Sequence, residues 1–146
     1  MEKILMKKDV YISIKGVQIV ENTPDVTELF TQGSFYKKND CYYIAYDETE
    51  TTGYDNSRTV LRIDATKKVT LLRSGETKSH LIIENGRRNV GHYGTTEGDM
   101  MIGVYGKEIT NSLTDNGGDI YFRYDLDVNT SLISENEVFV NVKIEN

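Results

Sequence analysis

"DIYFRYDLDVN", residues 119–129, is the stretch that decides the fold. In an extended chain Ile120, Phe122, Tyr124, Leu126 and Val128 share one face, and Tyr121, Arg123, Asp125 and Asp127 share the other. Alternation this strict marks a strand with one side in a core and one in water. "EVFVNVKIEN", residues 137–146, repeats it, with Val138, Val140, Val142 and Ile144 inward and Asn141, Lys143 and Glu145 outward. Near the start, Val10, Ile12 and Ile14 alternate with Tyr11, Ser13 and Lys15. The apolar phase then moves to Val17 and Ile19, which places a register-flipping bulge at Gly16.

Between these ends, strands are predicted over residues 26–37, 41–48, 58–64, 68–73, 78–84, 88–95, 99–105 and 107–114. Turn signals such as "KKND", "ATKK", "ENG", "TEG", "YGK" and "DNGGD" separate them, and Pro24 falls in a loop. No window carries sustained helical periodicity. About eleven short strands joined by hairpins leave no room for crossover helices. The expectation is therefore an all-β antiparallel meander that closes into a barrel of about 8–11 strands, over a single domain spanning 1–146. A two-sheet sandwich is the alternative.

The 146 residues are 38% hydrophobic and 27% charged, a globular composition. A net charge of −6 argues against nucleic acid as a partner. The start, "MEKILMKKDV", carries Glu2 and no apolar run before Lys7, so neither a signal peptide nor a membrane-spanning helix is expected. Cys41 is the sole cysteine, which excludes an intrachain disulfide and makes a reducing cytoplasm the expected location.

Four segments, "GSFYKKNDCYYIAYDET", "KKVTLLRSGE", "HYGTTEGDM" and "DNGGDIYFRYDLDVN", resemble the YwiB-like family of small bacterial β-barrels, over roughly the last three-quarters of the chain. The resemblance implies a calycin-like (lipocalin-like) meander barrel and a bacterial cytoplasmic protein of unestablished biochemical role. The family's Tyr–x–Thr–Pro–Tyr–Gly turn corresponds to Tyr93 through Gly98, with Thr96 and Glu97 standing where the family has Pro and Tyr. The chain has no Trp, so the Gly–x–Trp signature of true lipocalins is absent.

The sequence carries no phosphate-binding glycine loop and no nucleophile elbow. Cys41 with His80 or His92 is a thin set for a nucleophile or a metal, and no metal or cofactor is expected. "DLDVNTSLISEN" begins like a calcium loop, but Thr130 takes the glycine position and Glu135 falls one residue short. The protein is accordingly read as not an enzyme.

Alternation and the family motif place Tyr46, Tyr93 and Tyr124 on the interior wall, Glu48 in phase with Tyr46, and Arg73 in phase with Val69 and Leu71. These five are the candidate ligand-binding residues, the alternative being that their polar tips only satisfy one another in the core. With eleven single-pass strands, hairpin parity gathers Lys7, Lys8, Lys37, Lys38, Lys67, Lys68, Arg87, Arg88 and Lys107 at one rim. The opposite rim receives Glu21, Asp25, Asp47, Glu48, Glu50, Asp55, Glu76, Glu97, Asp99, Asp115, Asp119 and Glu145. A barrel polarised in this way would steer an anionic ligand or acidic partner to its basic rim, and could stack weakly head to tail. The function expected is binding of a small anionic or amphipathic ligand in or at the mouth, by a monomer or weak homo-oligomer. The alternative is an interaction or regulatory module using a rim or outer aromatics, Tyr11, Tyr42 or Tyr43, Tyr121 and Phe139.

Overall fold

The structure, a computed structural model, describes residues 4–54, 56–65, 67–95 and 97–145. Asp55 and Thr96, singled out above, lie outside these residues. Ten strands follow one another along the chain: β1 (Ile4–Val20), β2 (Thr23–Lys38), β3 (Cys41–Asp47), β4 (Ser57–Asp64), β5 (Lys68–Gly75), β6 (Ser79–Glu84), β7 (Arg88–Thr95), β8 (Gly98–Asn111), β9 (Gly117–Val128) and β10 (Ser131–Ile144). Each pairs antiparallel with the next, and β10 returns to β1, closing the barrel. The expected meander and closure are both present.

Local chemistry explains the tightest hairpins. Glu21 and Asn22, Asn39 and Asp40, and Asn129 and Thr130 form two-residue turns with every central φ positive. That mirror-image turn matches the right-handed twist of the flanking strands, and asparagine and aspartate tolerate its left-handed backbone. The inward sets read from the sequence hold. Ile120, Phe122, Tyr124 and Leu126 are buried along β9, and Val140 and Val142 along β10. They pack with Phe35, Ile44, Ile63, Leu81 and Ile83 into one core inside the barrel.

Pro24, expected in a loop, is the second residue of β2 and pairs with Ile19, its ring tolerated because a proline needs only a side of the strand where no N–H is required. Two further expectations fail, each for a physical reason. Residues 99–105 and 107–114 were expected as two strands across a "YGK" turn, yet β8 runs unbroken through Gly106. Glycine is needed there for a close approach rather than a turn. Its N–H donates to the Arg87 carbonyl at 3.0 Å, and an added Cβ would lie 2.2 Å from the Glu84 carbonyl oxygen. The strand count is therefore ten, and a register shift between Gly106 and Glu108 absorbs the irregularity. Gly16 is likewise no bulge: it pairs with Val138 and Thr27 in unbroken ladders. What inverts beyond it is the polarity of the wall, because Gln18 lines a polar cavity while Val17 and Ile19 turn outward.

The strands are unequal, 14 to 17 residues in β1, β2, β8 and β10 against 6 to 8 in β3–β7, so the ends are staggered. Across β7, β8 and β9 Arg88, first residue of β7, stands level with Tyr105 and Asp125, and its side chain reaches diagonally to Asp127 near the end of β9. Its Nε lies 3.0 Å and its Nη2 2.7 Å from the carboxylate. This fork lies over Gly103, where a Cβ would meet both side chains. The Arg88 hydrogen bonds, with that of the Thr130 amide, hold the Asp127 carboxyl below the usual range for aspartate. A depressed folded pKa gives stability that is present above the unfolded value of about 3.9 and lost as pH falls through the folded one. Asp127→Asn is therefore expected to lose less stability than the parent between pH 7 and the acid limb, as read by urea titrations at a series of pH values. An unchanged acid slope would contradict this.

Candidate functional site

The register, more than any local motif, assembles the site. Tyr46 on β3 pairs with Thr59 on β4, Thr59 with Arg73 on β5, Arg73 with Ser79 on β6, and Ser79 with Tyr93 on β7. Five residues from five strands thus form one row across half of the inner wall. On the other half Tyr124 pairs with Asn136, Asn136 with Gln18, and Gln18 with Asp25. The two rows ring one mouth of the barrel. Between them lies a cavity of about 260 Å³, its deeper wall formed by Leu29, Leu61, Leu71, Leu81 and Phe122. All five candidates read from the sequence, Tyr46, Glu48, Arg73, Tyr93 and Tyr124, line it.

A buried ion pair organises this mouth. Glu48, one residue past β3, and Arg73 meet at 3.2 Å with side chains only 1% and 9% exposed. The charges are hydrogen-bonded as well as paired, as burial requires. Thr59 Oγ1 donates a short bond to Glu48, Thr52 Oγ1 donates to it at 3.0 Å, and Arg73 Nε donates to Thr59 Oγ1 at 3.2 Å. The Arg73 guanidinium lies 3.8 Å from the centre of the Tyr54 ring, within cation–π range. Tyr54 and Tyr93 hydroxyls are hydrogen-bonded to each other.

Burial raises the phenols of Tyr46, Tyr93 and Tyr124 above the ordinary tyrosine range, with Glu48 adding to the effect at Tyr46 and Tyr54 at Tyr93. The Arg73 charge opposes the rise at all three. All three stay neutral at physiological pH, so the mouth offers hydroxyl donors and acceptors and no phenolate base.

Sequence reasoning missed Tyr54, Thr59, Gln18 and Asn136. Tyr54 sits in the 48–56 connection, which carries a 3-10 turn at Glu50–Thr52 capped by Thr49 and Gly53. A nine-residue connection among tight hairpins was the available signal. Asn136 could have been found by carrying the inward phase of Val138, Val140 and Val142 back one step. Gln18 was hidden by the assumed bulge.

The charge sorting is only half right. Merging two strands into β8 flips the parity of everything after residue 106, so Asp115, Asp119 and Glu145 lie at the end expected to be basic. There Lys37 Nζ lies 3.5 Å from Asp115, Tyr42 donates to the same carboxylate at 2.6 Å, and Lys8 donates to the Asp115 carbonyl at 2.8 Å. Lys38 lies over the Tyr43 ring, 5.1 Å from its centre, and Lys67 adopts a positive φ just before β5. Lys68 opens β5 and Arg87 is 3.8 Å from Glu84. Arg88 is taken up by Asp127, and Lys107 sits within β8, 3.2 Å from Asp125. That rim is mixed in sign. Glu135 on β10 pairs with Ile19 of β1 near the mouth end, which remains acidic.

Cys41 is buried, and His80 and His92 are cross-strand neighbours, with His92 Nε2 3.3 Å from Asp99. Among the described residues no three His, Cys, Asp or Glu side chains are placed to share a metal ion. No helix among them is long and apolar enough to cross a membrane.

Fold and site together define a closed ten-strand antiparallel barrel with one polar, tyrosine-lined mouth above an apolar interior. The chain belongs to the family described as a domain of unknown function, DUF1934, whose model matches residues 12–140. It is 25% identical over 125 residues to the uncharacterized beta-barrel protein YwiB of Bacillus subtilis (strain 168), covering 84% of this chain and 86% of that protein. It also superposes on the crystal structure of the ywiB protein from Bacillus subtilis with a TM-score of 0.84 at 20% identity, covering 98% of this chain and 96% of that one. At that identity the likeness shows the fold alone. The family resemblance seen in the sequence is borne out.

Proposed function

We propose that this protein is a non-catalytic binding barrel that takes a small amphipathic ligand in the mouth ringed by Tyr46, Arg73, Tyr93, Tyr124 and Asn136. The observation that carries this reading is the cavity of about 260 Å³ with an apolar depth and a polar rim. A void of this kind, lined by convergent polar groups, is what small-molecule sites present. The deep leucines and Phe122 take the apolar body of the ligand, and the tyrosine hydroxyls and Asn136 take its polar head. Arg73 and Glu48 neutralise each other, so the anionic ligand expected from the sequence loses its main attraction at this end. The neutral phenols suit hydrogen bonding and offer no base for proton abstraction.

Two measurements test it. Native mass spectrometry of the protein isolated from its own cells should reveal a retained small molecule. Titration with 2-naphthol, followed by intrinsic fluorescence, should saturate, and Thr27→Trp, which fills the mouth without touching the ion pair, should weaken binding by about tenfold or more. An unaltered affinity in that variant would place the probe elsewhere and sink the reading.

A second reading, an interaction surface, is favoured by Phe30, which is 77% exposed on the outer face of β2. The outer aromatics named from the sequence fit it less well. Tyr43 is buried and stacks on Tyr36 at 4.8 Å, and Tyr121 packs on Phe139 at 4.7 Å.

A further inference from the structure

The barrel closes, yet one of its strands keeps a long unpaired edge. β2 pairs with β1 along its whole length, from Thr23 to Lys38, but with β3 only from Ser34 to Lys38. On the side away from β1, residues 23–33 have no partner strand among the described residues. The 3-10 turn at Glu50–Thr52 lies against β2, but among the described residues no backbone hydrogen bond joins them.

The turn chemistry fixes which groups face this edge. Glu21 and Asn22 form a two-residue turn, so Val20 and Thr23 are the hydrogen-bonded pair that closes it. The ladder then runs without a shift to Val10 and Gly33. Thr23, Asp25, Thr27, Leu29, Thr31 and Gly33 therefore turn their backbone groups to β1, and Val26, Glu28, Phe30 and Gln32 turn theirs to the open side. The β2–β3 hairpin gives the same phase independently. Its Asn39–Asp40 turn makes Lys38 and Cys41 a bonded pair, so Tyr36 and Ser34 face β3. Pro24, with no N–H to give, also points to the open side, a placement that blunts an edge only at its tip.

An edge with four N–H and four C=O groups in a row is a template for another strand. Its side chains point outward, and Val26 and Phe30 are 53% and 77% exposed. On that outward face Glu28 stands between Val26 and Phe30, with Lys15 cross-strand from it on the β1 side, and Glu21 and Glu50 lie in the turns next to β2. We infer that this edge, residues 26–32, docks an extended basic peptide segment, which adds to the barrel as a further strand beside β2. A lysine or arginine of the peptide stands opposite Glu28, and apolar side chains two positions to either side of it, on the same face, lie against Val26 and Phe30. A second copy of this chain fits less well, because edge-to-edge pairing sets the acids of one β2 against those of the other. The site uses the outer edge of β2 and does not rest on a ligand in the cavity.

The register makes the test specific. A blocked nine-residue peptide carrying valine, lysine and valine at successive alternate positions, with threonine between them, is titrated into the isotope-labelled protein, and amide hydrogen exchange is followed residue by residue. At saturation the Val26, Glu28, Phe30 and Gln32 amides should exchange about tenfold slower or more, while Thr27 and Leu29, already bonded to β1, stay unchanged. Glu28→Pro removes an edge donor without touching the β1 ladder, and should abolish the protection. Should that variant not fold, the same peptide N-methylated at alternate residues should fail to protect the intact protein. Equal slowing by the same peptide with glutamate in place of lysine would overturn the inference. So would protection that follows protein concentration without peptide, or slowing that ignores the alternation.

Discussion

Replacing Arg73 by methionine is expected to lower folding stability by about 3–5 kcal/mol, because it leaves the Glu48 carboxylate buried without its countercharge. The size follows from burial, since the Glu48 side chain is 1% exposed and cannot recover water. Thr59 and Thr52 still donate to it, but two neutral hydroxyls do not replace a guanidinium. Methionine keeps much of the arginine's bulk, so the loss reads charge rather than a cavity. The double change Glu48→Gln with Arg73→Met should recover most of it, since replacing both partners of a buried pair is often near neutral. Urea denaturation of the parent, the single and the double variant decides the matter. A single variant within about 1 kcal/mol of the parent would show that the pair is solvated at the mouth.

Phe122→Ala is expected to cost a similar amount, about 3–5 kcal/mol, through lost apolar burial and the hole left behind. Phe122 is fully buried and lies against the cavity, with its ring 6.0 Å from that of Tyr124. Phe35→Ala should cost about as much, since Phe35 is equally buried. Phe35 does not line the cavity and instead stacks on Tyr42 at 5.1 Å. The two variants should therefore separate stability from binding. Under partly stabilising conditions Phe122→Ala should alter the affinity for a small amphipathic probe and Phe35→Ala should not. Equal effects on binding would mean that ligand capture reports only the folded fraction.

Much of this was legible in the chain. Strands of period two, hairpin turns and a uniform inward phase gave the antiparallel meander, and the same phase put Tyr46, Arg73, Tyr93 and Tyr124 on the inner wall. Those signals are local, because side-chain direction in a strand depends only on position along it. The errors share one origin. Gly16 and Gly106 were read as local breaks, whereas one sits in an unbroken ladder at a polar wall and the other admits a neighbouring backbone. A glycine that lets another chain approach looks in sequence like one that bends its own. One misplaced turn then reversed the parity of every later hairpin, which is why Asp115 was assigned to the wrong end.

The sequence by itself determined an all-β chain, the strand faces and the residue types available to a site. Only the tertiary structure decided which of those residues stand level with one another. Tyr46, Thr59, Arg73, Ser79 and Tyr93 become one row through four successive hairpin registers, and Tyr54 joins them only because its loop folds back over Arg73. The free edge of β2 has the same origin, since it exists because β3 is short and the barrel staggered. Register and stagger are properties of pairs of strands and of closure around the barrel. No single segment of sequence carries them.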